Sequence, residues 1–176
     1  MVHPSNELSG TVLGPSVQAG TVHGDVHIHE VADGRVPVPR QLLAAPPRLV
    51  GRRVELARLD GLLDPDGARI GVLTGPGGVG KTALAMRWAH GVRAHFPDGE
   101  LYADLCGWTG EEPLDPGQAL GAFLRALGVP PRRVPLAMTE QAALFRSLTA
   151  GRCMLVVLDS VYSAAQARPL LAISGA

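Results

Sequence analysis

Residues Gly75-Pro76-Gly77-Gly78-Val79-Gly80-Lys81-Thr82 match the spacing G-x-x-x-x-G-K-[ST] without a departure. A backbone that wraps an anion with its N–H groups turned inward passes through conformations that a Cβ obstructs, which explains the glycines. A helix starting near Thr82, with Ala83 in its first turn, would add its positive dipole end. Lys81 is then placed to reach β- and γ-phosphates, and the Thr82 hydroxyl to ligate Mg²⁺. Leu155-Val156-Val157-Leu158-Asp159 supplies the complementary group. Four apolar residues ending in an acid describe a buried strand that delivers a carboxylate to its C-terminal end, where Asp159 is the candidate to serve the metal through water.

The charge pattern narrows this chemistry. The chain has 176 residues with 16 basic and 16 acidic side chains, and Lys81 is the one lysine among the basic residues. Balanced charge argues against a nucleic-acid clamp or a polybasic membrane module, since both need surplus positive charge to meet phosphate. One confined phosphate site remains compatible with it. A compact ammonium on a flexible stem suits that position, where a planar guanidinium would crowd the loop.

The elements that must hold these groups follow from periodicity. RVELARLDGLL at 53–63 carries a helical apolar stripe, and RIGVLTG at 69–75 is expected to be a buried strand leading into the loop. A helix is predicted over 82–96 and an alternating strand over 100–105. A helix at 117–128 ends on Gly128 and Pro130, and a further helix spans 140–151. The apolar strand 153–160 precedes a last helix from 163 to 172. Strands alternating with helices predict an α/β fold with a parallel sheet and helices on its faces. Cys106 and Cys153 lie in or beside apolar runs and read as buried thiols in a reducing compartment. No stretch reaches the roughly 18 apolar residues of a membrane span and no signal-peptide pattern opens the chain, so a cytoplasmic location is expected.

Leu49-Val50-Gly51-Arg52 before a short helix, the loop GPGGVGKTALA, and LVVLDS followed by a helix with RPLL resemble the NB-ARC domain of STAND-class P-loop NTPases, over residues 45–176. The resemblance implies a three-layer parallel sheet of the P-loop NTPase type and a signalling switch that binds ADP or ATP with Mg²⁺. It places Val50 and Arg52 near the adenine, Gly75 to Thr82 around the phosphates, and Asp159 at magnesium. Arg53 stands where the family often has glutamate, and Ser160 where many relatives have a second acid or an asparagine. Serine is a poor base for water, so slow turnover is expected. Family members continue into further strands, a sensor arginine, a helical lid and a winged-helix domain that do not occur here. The chain is therefore expected to be a fragment whose sheet lacks C-terminal strands and exposes an apolar edge.

Residues 1–32 have a different character. GTVLG at 10–14 recurs as GTVHG at 20–24, and Val17-Gln18-Ala19-Gly20, Val22 and Val26 resemble the short amyloid signalling motifs of bacterial NLR-like proteins, with the V-Q-x-G core of RHIM-type sequences. Short Val-rich strands of low charge can stack in register, with glutamine forming a ladder; a disordered tail is the alternative. Self-assembly or an effector contact through residues 5–30 is thus expected. His23, Asp25, His27 and His29 alternate and would share one strand face, read as a polar solvent face rather than a metal site. VPVPRQLLAAPPR at 36–48, within the region 33–48, reads as a proline-spaced linker to the domain at 49–176. Two other functions stay open. One is a P-loop kinase or other enzyme transferring a γ-phosphate, with Arg125, Arg132 and Arg133 as lid candidates. The other is an adaptor with an inert nucleotide core.

Overall fold

The computed structural model describes residues 36–64, 70–107 and 112–171. The N-terminal repeat, Val17, Gln18, Gly20, Val22 and Val26, and the histidine-rich stretch lie outside these residues.

Two strands form the sheet of the described residues: β1, Gly99–Asp104, and β2, Met154–Asp159. They pair in parallel with Gly99 opposite Met154 and Asp104 opposite Asp159. The sequence of β1 alternates because its two faces meet different layers. Leu101, Ala103 and Leu105, with Met154, Val156 and Leu158 of the β2 segment, pack against α3 (Pro116–Ala126) and α4 (Met138–Thr149). Phe123 and Phe145 anchor this core, both almost fully buried with ring centroids 5.7 Å apart. Leu155 faces the opposite way, toward a cluster built by Leu59 of α1 (Arg53–Asp60) and by Leu84, Trp88 and Ala89 of α2 (Lys81–Gly91). The Trp88 indole donates to Asp60 Oδ1 at 3.0 Å, tying α1 to α2. The expected parallel pairing, with helices on both sheet faces, is therefore present as a mixed α/β arrangement around a small sheet.

Local signals explain the helix boundaries. The Asp115 carboxylate accepts from the Gly117 N–H at 2.8 Å and Pro116 opens α3, so that helix has a cap and a preset first φ. Ser163 caps the short α5, Ala164–Ala167, by accepting from Gln166 N–H. The Gln166 side chain, itself buried, accepts from Tyr162 N–H and donates to the carbonyls of Leu105 and Leu114. One glutamine thus satisfies backbone groups of both loops that leave the C-terminal ends of the strands. The expected helices at 53–63, 82–96 and 163–172 are shorter than their apolar stripes, each ending in a 3-10 turn, at Gly61–Leu63, Arg93–His95 and Arg168–Leu170.

Three expectations need correction. The run before the phosphate loop has no strand ladder over residues 70–75. Val72 is 78% exposed, and only Leu73 joins the α1/α2 cluster. Gly71 lies against Leu62, where a Cβ would come 2.6 Å from Leu62 Cδ1, so the run follows the turn after α1 and its N–H and C=O groups find no β2 partner. β2 is accordingly half-buried along its whole length. The thiols are not buried either: Cys153 is exposed and Cys106 intermediate, because each stands at the rim of its strand. Finally, the proline-spaced segment does more than link. Glu100 N–H donates to Pro39 C=O at 2.8 Å and Gln41 N–H to Glu100 C=O at 3.0 Å, so residues 39–41 bridge in parallel to the outer edge of β1.

Candidate functional site

The phosphate-loop residues and Asp159, 77 positions apart for Thr82, meet at the C-terminal end of the sheet. Gly75, Gly78 and Gly80 take φ values of +151°, +74° and +91°, a region that side chains rarely enter. Gly80 is the residue from which α2 departs, with Leu84 N–H donating to Gly80 C=O at 2.9 Å. A Cβ on Gly77 or Gly78 would meet nothing within 4 Å, so the loop is open on that side. The first N–H groups of α2 have no intrahelical partner and carry the positive end of its dipole. Lys81 closes the loop on itself, its Nζ donating to the carbonyls of Gly75 and Pro76 at 2.9 Å each.

Thr82 Oγ1 donates to Asp159 Oδ2 at 2.6 Å. The other carboxylate oxygen accepts from Ser160 N–H at 2.9 Å, and Ser160 sits at φ +51° to make that turn. Tyr102 is the group that sequence reasoning missed. It lies two residues before Asp104 and on the same sheet face as Asp159, and its hydroxyl donates to Asp159 Oδ2 at 3.4 Å. Burial, then the negative charges of Asp159 and Asp104, push its pKa up from 10.0 to about 12. The signal was available in the alternation Glu100-Leu101-Tyr102-Ala103-Asp104, which puts Tyr102 beside the acid that ends the neighbouring strand.

A cavity of about 240 Å³ opens beside the loop, walled by Arg52, Glu55, Leu73, Pro76, Lys81 and Leu84 among others. Arg52 reaches the loop directly: Nη2 donates to Val79 C=O at 2.8 Å, while Nη1 pairs with Glu55 at 2.7 Å. That hydrogen bond with Arg52 is the main reason the Glu55 carboxyl is held below its ordinary pKa. Glu55, not position 53, therefore carries the local ion pair. Val50 is 87% exposed and does not wall the cavity, and neither does Ala83. Arg125 is on α3 and Arg132 and Arg133 in a turn at Pro131–Arg133, all away from the cavity lining. Among the described residues no cluster of three His, Cys, Asp or Glu side chains forms a metal cage, and no helix is long and apolar enough to cross a membrane.

The geometry can hold an anion against α2 and offers a hydroxyl and a carboxylate, both hard oxygen donors, side by side. Such a pair suits a magnesium ion that keeps most of its waters.

No family model matches the chain, and no solved structure does. Two curated relatives are similar to it. Over 163 residues the chain is 41% identical to Regulatory protein AfsR of Streptomyces griseus, a match covering 88% of this chain and 17% of that protein. Over 102 residues it is 53% identical to Regulatory protein AfsR of Streptomyces coelicolor, covering 58% of this chain and 10% of that protein. The chain thus spans less than a fifth of the length of the curated relatives it matches, and its similarity is to proteins named as regulatory.

Proposed function

We propose that residues 49–176 form the nucleotide-binding part of a signalling switch of the STAND NB-ARC kind. The site takes ADP or ATP with Mg²⁺ and hydrolyses it slowly if at all. The observation that carries this reading is the 2.6 Å contact between Thr82 and Asp159, which joins the helix after a phosphate loop to the acid ending β2. Gly75 to Gly80 would cradle the phosphates, and Lys81 would exchange its two loop carbonyls for phosphate oxygens. Arg52 would line the base side of the cavity. Similarity to regulatory proteins supports a signalling role over a metabolic one. Ser160 offers no carboxylate beside Asp159, which supports slow turnover. The kinase alternative lacks support, since its lid arginines do not wall the cavity. Residues 5–30 would recruit an effector by β-assembly in a cytoplasmic setting.

Calorimetric titration of the chain with ADP and Mg²⁺ tests the reading. Expected is binding in the micromolar range or weaker that disappears in Lys81→Ala while tryptophan fluorescence stays that of the folded chain. Wild-type chain that binds no nucleotide, or a Lys81→Ala chain that binds as well, would sink it. For the tail, a peptide of residues 5–30 should form seedable, thioflavin-positive fibres; a peptide that stays monomeric at high concentration removes that part.

A further inference from the structure

The segment from Val36 to Leu43 is fastened to two elements at once. Its backbone bridges to β1 through Pro39, Gln41 and Glu100. Arg40 extends over the same strand, Nη1 pairing with Glu100 Oε1 at 2.7 Å and its guanidinium donating to the carbonyls of Phe96 and Pro97 at 3.3 Å. Glu100 is fully buried, and its Oε1 is shared with Arg93 Nε at 2.8 Å, just past the C-terminal end of α2. Leu42 packs in the cluster of Trp88, Ala89 and Val92, and Leu43 C=O faces His90 Nε2 at 2.8 Å. Two glycines make room for the segment. A Cβ on Gly99, at φ +128°, would lie 2.7 Å from Pro39, and one on Gly128, at φ +92°, would run into Val36.

Of these fastenings, the Leu42 packing, the Leu43 carbonyl and the Arg93 partner of Glu100 fall on the last turn of α2 and the turn after it, while the first turn of the same helix holds Lys81 and Thr82. An α-helix of 11 residues is a rod of about 16 Å. What displaces one end of it bears on the other.

The fastening is also incomplete. Both cationic partners of Glu100 converge on Oε1, and Oε2 is buried with no hydrogen-bond partner. A buried oxygen left bare disfavours the closed state. Arg40 and Arg93 are 39% and 43% exposed, so water competes for both. The bridge itself is a two-bond contact at a sheet edge, and Val36 and Val38 keep about half their surface in solvent.

We infer that Val36–Leu43 is a releasable latch whose release loosens the C-terminal end of α2. Release frees Glu100 and Arg93, removes Leu42 from the α2 cluster, and loosens the end of the helix. The coupling is a property of the chain itself and holds whether or not the loop takes a nucleotide.

Residue-resolved hydrogen exchange on the full chain without ligand tests this, comparing wild type with Arg40→Met. The amides of Gln41 and Glu100 report the latch, Val92 and His95 the end of α2, and Ala150 at the end of α4 the rest of the fold. Expected is at least tenfold faster exchange at Gln41, Glu100, Val92 and His95, with Ala150 unchanged. Faster exchange confined to Gln41 and Glu100 overturns the coupling, and unchanged exchange at Gln41 overturns the latch. If Arg40→Met speeds Ala150 as well and so unfolds the chain, Val36→Ala, which trims the contact over Gly128, must show the same selective pattern in weaker form. Absence of that pattern in Val36→Ala overturns the proposal.

Discussion

Replacing Thr82 by valine removes one hydroxyl and keeps the shape of the side chain, which isolates the 2.6 Å hydrogen bond to Asp159. A hydrogen bond to a charged acceptor is worth about 1.5–3 kcal/mol. Asp159 is only partly buried, so water recovers some of that. It also keeps two donors, Ser160 N–H and Tyr102 O–H, so the several-kcal penalty of a buried unpaired charge does not apply. The expected loss is therefore about 1–2 kcal/mol, a drop of about 3–6 °C in Tm for a domain of this size. Asp159→Asn should cost a similar amount. The decisive assay is the double-mutant cycle, read by urea denaturation: if the two groups touch, Thr82→Val with Asp159→Asn costs at least about 0.5 kcal/mol less than the two single losses together. Additive losses would mean that hydroxyl and carboxylate are not in contact in solution, and the loop and β2 would not form one site.

Tyr102 should titrate near pH 12 when its tyrosinate absorbance is followed in Tyr162→Phe, which leaves one tyrosine. Its raised pKa contributes stability that is complete below pH 10 and is lost as pH rises from 10 through about 12. Asp159→Asn should lower the midpoint only in part, because burial is the larger cause; a midpoint near 10 in wild type would contradict the packing of Tyr102 against the strand ends. Gly107→Ala should destabilise by about 1–3 kcal/mol in urea. The new Cβ would run into the Ser160 carbonyl and come 2.9 Å from Tyr162 N, both backbone groups that do not yield as side chains do. An unchanged midpoint would show that the turn after Asp159 is free to shift.

The groups that could be read from sequence were those whose local chemistry is self-sufficient. The glycines of the loop are needed wherever φ is positive, at Gly75, Gly78 and Gly80, and no distant contact alters that. The alternation of β1 was legible because its faces meet different layers: Leu101 and Leu105 enter the α3/α4 core, while Tyr102 and Asp104 turn toward the other side. Where sequence reasoning failed, the deciding partner lay elsewhere in the chain. Ile70 to Thr74 has the composition of a strand, but a strand exists only through its neighbour's N–H and C=O groups, and Gly71 instead lies against Leu62.

The proline-spaced segment failed for the opposite reason. Fixed φ angles suit an extended linker, yet extended chain is also what a sheet edge accepts, and proline is tolerated there because its missing N–H can face outward. At Pro39 the carbonyl is the group that is used, and the donor comes one residue after the arginine, from Gln41. Arg40 between them is the residue whose type could have signalled docking, since β1 carries Glu100 at a position where a buried carboxylate demands a cation. Two arginines answer that demand from two directions, one on the linker and one beyond α2, and both bind the same oxygen. The buried acid thereby ties an otherwise plain spacer to β1 and, through Arg93, to the turn that follows α2.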